Sequence, residues 1–233
     1  MAAPQSTLQP TANEPARKFA YLFFALITLI ATSPYLDKPG MPSVLFRLVS
    51  AAAFLAAIYA VREKGAQWVT ALVLAFPAGV LNSIYAFHAN PRIAVPTLIF
   101  TILFLGFTLV SLLRAVLHAR TVTIDTIYGA ITVYLLIAFV WGAIFLLLET
   151  LQPGALAINT TWHPNHKIDW PDCMFFSFVT LTSVGYGDMA PITPQARTLA
   201  ILEAVCGIMY VAVLVARLVG LHSAEKSQAR PTE

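Results

Sequence analysis

The sequence predicts an all-α membrane protein: six transmembrane helices, with a short helix that re-enters the membrane and a length of extended chain between helices 5 and 6. Three observations predict this class. Hydrophobic residues make up 58% of the 233 positions and charged residues only 11%, with a mean hydropathy of +0.76, a balance foreign to soluble domains. Six apolar runs approach or exceed the roughly 20 residues a helix needs to cross the hydrocarbon core. The longest connection between runs carries helix-start signals of its own and ends in a Gly-Tyr-Gly segment.

The six runs are 19–35, 44–61, 67–87, 93–117, 127–148 and 198–221. The first follows Arg17 and Lys18 as a secretory leader would. It is long for a leader's apolar region, a long polar stretch precedes it and five further runs follow, so it is read as a retained helix. With six spans both ends lie on one side. Cytoplasmic termini place Arg17, Lys18, Arg62, Lys64, Arg114, Arg120, Arg217, Lys226 and Arg230 inside, and leave only Lys38, Arg47, Arg92, Lys167 and Arg197 outside. Basic residues favour the cytoplasmic side, so the N- and C-termini are expected there, in a multi-pass protein of the plasma (inner) membrane.

The connection between the fifth and sixth runs is 49 residues long, too long to lack structure of its own. Asp169 suits an N-cap and Pro171 the first turn, and 173–181 continue as a mostly apolar helix. Such a helix dips into the membrane, and the chain returns as extended backbone, which is tolerated at that depth only where protein buries it or water lines it. The C-terminal pole of the helix dipole then favours a cation.

The returning chain is Thr180-Leu-Thr-Ser-Val-Gly-Tyr-Gly-Asp-Met-Ala-Pro191. For Ser183, Val184, Gly185 and Tyr186 to turn their carbonyls to one side, successive residues must alternate between ordinary and positive φ. Gly185 and Gly187, spaced two apart, reach positive φ without steric cost. One chain supplies one edge of a tube, so four copies about an axis are needed for closed rings of oxygens. Stacked carbonyl rings substitute for the hydration shell of a dehydrated cation, and the Ser183 hydroxyl adds an oxygen at the inner end.

This segment resembles the signature of tetrameric potassium channels, T-x-x-T-x-G-Y-G-D, with Thr180 as the first threonine and Ser183 in place of the second. The resemblance implies a bacterial-type six-span channel with a two-helix pore domain. It also implies a selectivity filter of Thr182, Ser183, Val184, Gly185, Tyr186, Gly187 and Asp188, with K+ bound at Ser183, Val184, Gly185 and Tyr186. Gly207, twenty residues after Gly187, matches the position at which the inner helix of such channels commonly bends. The alternative reading makes Gly207 a small residue that permits close helix packing. Helical spacing carries the face of Gly207 on to Ile208, Val211, Val215 and Val219, which would line the cavity and the inner mouth. All four are apolar, so a closed state is expected to block ions by dewetting. Glu149 also matches a family position and is expected to satisfy loop amides. Two departures stand out: Phe175 and Phe176 replace pore-helix tryptophans that donate hydrogen bonds in many relatives, and Val179 replaces a carboxylate that pairs with the filter aspartate in some.

A voltage sensor needs about three to four gating charges per subunit, normally on the fourth helix. Here Arg92 precedes that helix and Arg114 ends it, with roughly 33 Å of uncharged helix between them. Arg47, near the outer end of the second run, is read as snorkelling. Weak or no voltage dependence is expected.

About a dozen residues follow Leu221, so no nucleotide-binding or calcium-binding cytoplasmic domain is expected. His118 and His222 at helix ends, and His163 and His166 in the outer loop, are read as interfacial and turret residues rather than a switch or a metal site. Cys173 and Cys206 suggest no disulfide. Glu203, within the sixth run, needs a partner or water, and Arg197 is a candidate, from its own chain or a neighbouring one.

The expected organisation is a cytoplasmic tail (1–18), a non-voltage-sensing four-helix domain (19–120), a pore domain (121–222) and a second tail (223–233). The partners are three further copies of the chain and membrane lipids, with no nucleic acid. No cofactor is implied beyond K+ as the permeant ion. The function read from this pattern is a potassium-selective channel; the alternatives are a subunit of a potassium transporter or a less selective cation channel. Paired carboxylates, a nucleophile with its base, an HExxH motif and a phosphate loop are all missing, so an enzyme is not expected.

Overall fold

The computed structural model describes residues 18–33, 42–61, 67–87, 91–119, 123–159 and 167–228. Among these residues seven helices and two short strands follow one another: α1 (Lys18–Thr32), α2 (Pro42–Val61), α3 (Gln67–Phe87), α4 (Pro91–His118), α5 (Ile124–Leu151), β1 (Leu156–Ile158), α6 (Trp170–Leu181), β2 (Met189–Pro191) and α7 (Pro194–Gln228). The apolar runs reappear as helices, with the last three extended by a turn or so at one or both ends. The strand pair is an addition to the all-α expectation. Three helical stretches are long and apolar enough to cross a membrane, Ile93–His118, Ile124–Leu151 and Pro194–Arg217, and three shorter apolar helical stretches, Lys18–Thr32, Leu48–Val61 and Trp68–Ile84, accompany them.

Helix α5 is the hub. It packs against α1, α4, α6 and α7, while α2 and α3 reach the rest of the molecule through α1 and α4. Its N-terminus is capped by Thr123, whose hydroxyl accepts from the Thr126 amide, and its first-turn Asp125 accepts from the Phe19 amide of α1 at 3.2 Å. Val133, Leu136, Ala138, Ala143 and Phe145 along it are buried. Lipid tails are as apolar as leucine, so this packing gains mainly van der Waals contact rather than hydrophobic transfer energy. The stacked rings of Phe54 and Phe104, 4.8 Å apart and 9° from parallel, fasten α2 to α4 in the same way. A cavity of about 390 Å³ lies in this four-helix part, lined by Leu22, Phe54, Thr97, Phe104 and Leu136 among others, away from the Gly-Tyr-Gly segment.

At the far end of α7, the Arg217 guanidinium donates to the carbonyls of Val116 and Ala119. Val116 lies in the last turn of α4 and Ala119 just beyond it, where backbone carbonyls run out of intrahelical partners. Arg217 therefore ties the end of α7 to the four-helix part.

Two features fix the stretch between α5 and α7. The N-terminus of α6 is closed by a capping box: the Asp169 carboxylate accepts from the Asp172 amide, the Asp172 carboxylate accepts from the Asp169 amide, and proline occupies the first turn, which satisfies two otherwise orphaned donors. The strands β1 and β2 pair antiparallel with Leu156 opposite Pro191, Ala157 opposite Ala190 and Ile158 opposite Met189. The ladder is continued by Asn159 donating to the Asp188 carbonyl at 2.8 Å and Ile192 donating to the Ala155 carbonyl at 2.8 Å. Glu149 holds the turn that leads into β1, accepting from the amides of Gly154 at 2.8 Å and Leu156 at 3.0 Å, as its sequence position led us to expect.

Removing the Glu149 acceptor is predicted to destabilise this ladder. Glu149→Ala strands two amides, and hydrogen bonds to a charged group contribute about 1.5–3 kcal/mol when buried; this site is half-buried, so a total loss of about 1–3 kcal/mol is expected. The check is the thermal midpoint of the purified protein, which should fall for Glu149→Ala and fall less for Glu149→Gln.

Candidate functional site: the segment after α6

Helix α6 ends in a Schellman arrangement. The Ser183 amide donates to the Thr180 carbonyl and the Val184 amide to the Val179 carbonyl, both at 3.0 Å, while Ser183 lies at φ 59°. Glycine usually takes this left-handed position after a helix. Here serine takes it, at a cost of about 1–2 kcal/mol for a residue with a Cβ. Thr182 caps the helix, and its hydroxyl donates to the Phe178 carbonyl at 2.7 Å.

Positive φ then recurs at Gly185 (61°) and Gly187 (83°), with Val184 and Tyr186 between them on the ordinary side. The alternation anticipated from the two glycines is present and begins one step earlier than they indicate, at Ser183. Residues 182–187 are exposed, with Val184 at 53% and Tyr186 at 72%, and nothing lies within 4 Å of a Cβ built on Gly185 or Gly187. Asp188 is half-buried at the start of the β1–β2 ladder. Thus 183–187 is an exposed strip of alternating backbone anchored at both ends, to the last carbonyls of α6 on one side and to the ladder on the other. The Tyr186 ring stacks on Phe175 of α6, 6.1 Å apart and 6° from parallel. Phe176 points away instead, buried against Phe145.

Helix α6 is held by a matched set of contacts on two sides. The Ser177 hydroxyl contacts the Ala138 carbonyl of α5 at 2.8 Å and the Glu203 carboxyl of α7. One turn further, the Leu181 carbonyl accepts from the Tyr134 phenol of α5 at 3.3 Å and lies against Gly207 of α7, where a Cβ would come within 2.4 Å of its oxygen. Below these, the Tyr210 phenol of α7 donates to the Ala130 carbonyl of α5 at 2.6 Å. The partners step by four residues on α5 and α6 and by four and then three on α7, so α6 and α7 run in parallel and α5 runs against both.

These contacts revise two expectations. Glu203 does not pair with Arg197: it is fully enclosed within the protomer and meets Ser177, while Arg197 donates to the Pro191 carbonyl at 3.3 Å. Gly207 does not share an open face with Ile208, Val211, Val215 and Val219. It is buried against Leu181 inside an unbroken α7, whereas those four are 46–61% exposed, and its missing side chain permits this close approach. The contact of Glu203 with Ser177 was legible only as an i, i+4 match between two segments whose parallel packing the sequence does not declare.

The other singled-out residues are less engaged. The His118 ring hydrogen-bonds the Arg114 carbonyl of its own helix at 2.8 Å. Cys173 is buried, Cys206 is exposed, and both are free. Arg47, Arg92 and His222 lie on described helices, but their side chains fall outside the described set, and His163 and His166 lie outside the described residues altogether.

Comparison with known proteins agrees with this geometry. A family model described as an ion channel matches residues 98–222, more than half of the chain and all of the segment from mid-α4 to α7. Over 42 residues the chain is 50% identical to the inward rectifier potassium channel Kirbac3.1 of Paramagnetospirillum magnetotacticum, covering 18% of this chain and 14% of that one. It is 40% identical over 53 residues to potassium voltage-gated channel subfamily A member 5 of Rattus norvegicus, covering 23% and 9%. It is 33% identical over 64 residues to the potassium channel protein kcv of Paramecium bursaria Chlorella virus 1, covering 27% of this chain and 68% of the viral one. The chain belongs to the potassium channel family and is an integral membrane protein. It spans only a small part of the length of the first two of these relatives.

The close approach at Gly207 has a measurable consequence. Gly207→Ala forces α7 away from the α6 carbonyl end and is predicted to cost about 1–3 kcal/mol, as overpacking does, and to reduce ion flux. Gly220→Ala, on the same helix with nothing within 4 Å, is predicted to do neither. Thermal midpoints and liposome flux of the two variants, measured side by side, check this.

Proposed function

We propose that four copies of the chain surround an axis to form a potassium-selective pore, in which dehydrated K+ is held by backbone carbonyls of Ser183, Val184, Gly185 and Tyr186 and passes down its gradient. The observation that carries this reading is the alternation of positive φ at Ser183, Gly185 and Gly187 along an exposed strip tied down at both ends. That alternation turns successive carbonyls to one side, and rings of such carbonyls replace an ion's hydration shell. One strip is a single edge. Unpaired backbone at membrane depth has to be buried in protein or line a water-filled path, and four edges facing one another meet that requirement.

Helix α7 supports the same assembly. In its apolar window 11% of residues are buried, against 50% for α5, which leaves Ile208, Val211, Val215 and Val219 open to the pore axis and other faces open to neighbouring copies and lipid. In this reading α6 is a re-entrant pore helix, α1 to α5 and α7 make six spans, and the distribution of basic residues puts both termini in the cytoplasm of a plasma membrane. With no charged residue between Arg92 and Arg114 in α4, the four leading helices have no charge ladder to move in the field, so opening depends weakly or not at all on voltage.

Purified protein reconstituted in liposomes with a potassium gradient is expected to pass K+ and Rb+ and to exclude Na+ and Li+. Sodium flux equal to potassium flux would overturn the selectivity. Gly185→Ala places a Cβ at φ 61° and is expected to abolish or unselect conduction while the assembled protein remains intact by size-exclusion chromatography. In planar bilayers the conductance of the unaltered protein is expected to change only shallowly with voltage; a steep midpoint would refute the assignment of α1 to α4 as non-sensing.

A further inference from the structure

A carboxyl group sealed inside the wall of the pore domain has to be accounted for. Glu203 is fully buried, and enclosed by its own protomer, so no neighbouring copy is needed to cover it. One carboxyl oxygen contacts the Ser177 hydroxyl, while the other, Oε2, is buried without a hydrogen-bond partner among the described residues. Ser177 also contacts the Ala138 carbonyl at 2.8 Å.

The hydrogen inventory of this chain is restrictive. A serine hydroxyl has one hydrogen to donate, and a backbone carbonyl only accepts. If Glu203 were ionised, it and Ala138 would compete for that one hydrogen, and a carboxylate would stand in an apolar wall with its second oxygen bare, a costly arrangement. If Glu203 carries a proton, both contacts are satisfied at once: the Glu203 carboxyl donates to Ser177 Oγ and Ser177 donates to Ala138. The neighbouring titratable groups offer no substitute. On α5 the Tyr134 phenol is committed to Leu181. On α6 the buried thiol of Cys173 lies one turn before Ser177, in a cluster with Phe145 and Phe176. On α7 Arg197 and Tyr210 donate to the Pro191 and Ala130 carbonyls, and Cys206 is exposed.

We infer that Glu203 is a positioning residue of the filter that works as a neutral carboxylic acid, completing the chain of contacts from α7 through Ser177 to α5, and that its ionisation breaks one of the two contacts Ser177 makes. The inference rests on the pore reading above and extends it to residues outside the filter. Ser177 and Leu181 are one turn apart on α6, and the carbonyls of Val179 and Thr180 between them set Ser183 and Val184. A shift of α6 relative to α7 is therefore passed to the inner end of the filter. The direction follows from the hydrogen count. Both Ser177 contacts are satisfied while Glu203 holds its proton, and one of them is lost once Glu203 ionises.

Two measurements on the full-length reconstituted protein test this. In the first, K+ and Na+ flux are followed from mildly acidic to alkaline pH for the unaltered protein and for Glu203→Gln. The glutamine amide donates to Ser177 as the acid does and does not ionise. The unaltered protein is expected to lose potassium flux or selectivity at alkaline pH, and Glu203→Gln to retain both across the range. Superimposable pH profiles would overturn the inference. In the second, infrared difference spectra are recorded across the same pH range. The carbonyl stretch of a protonated carboxylic acid is expected in the unaltered protein wherever it retains flux and selectivity, giving way to carboxylate where they are lost, and is expected to be absent from Glu203→Gln; a missing band overturns the inference whether or not the protein conducts. Absence of potassium flux from the unaltered protein at every pH, with the band present, would overturn the pore reading and leave the protonated carboxyl standing.

Discussion

A helix of twelve residues held inside a membrane protein cannot rely on its own length for stability, because short helices are marginal and their terminal groups lack internal partners. The segment that follows it depends on how α6 is held. It lies between α5 and α7, with Ser177 meeting Ala138 and Glu203 on one turn and Leu181 meeting Tyr134 and Gly207 on the next. The four-residue step on all three helices makes this a fixed register rather than a general apolar contact. In a lipid surrounding such polar contacts and close backbone approach do the work that hydrophobic transfer does in water.

The segment that follows inherits its geometry from that register. Schellman bonds from Ser183 and Val184 return to the last carbonyls of α6, and the bond from Asn159 to Asp188 opens the β1–β2 ladder on the other side. Between those anchors the backbone alternates in hand at Ser183, Gly185 and Gly187. A left-handed serine costs energy where a glycine would not, and tethers of this kind keep such a residue in place. Serine at this position retains a hydroxyl at the inner end of the strip, which glycine would forgo. The departure at Phe175 also has a structural outcome: its ring stacks on Tyr186, replacing an indole donor with an aromatic face.

Communication between the two halves of the chain has two identifiable routes. Asp125 at the start of α5 accepts from the Phe19 amide of α1, and Arg217 of α7 donates to the carbonyls of Val116 and Ala119 at the end of α4. Both join α1 and α4 to α5 and α7 at the end of the molecule opposite the Gly-Tyr-Gly segment. The leading helices thus meet α5 and α7 through hydrogen bonds at helix termini.

Much of this protein was legible without coordinates. Composition and run length determined a helical membrane protein, because the hydrocarbon core demands long apolar segments with internally satisfied backbones. Asp169 and Pro171 announced the start of α6, Glu149 its loop amides, and Gly185 and Gly187 the positive φ values, because capping, turn and glycine chemistry are local. What only the tertiary structure decided were the long-range choices. Gly207 became a packing surface because the Leu181 carbonyl occupies the space a side chain would fill. Glu203 met Ser177 rather than Arg197 because the parallel register of α6 and α7 brings residues 177 and 203 together. The strand pair joined segments thirty residues apart. Each of these depends on which helix faces lie against one another, and residue spacing along one chain does not contain that information.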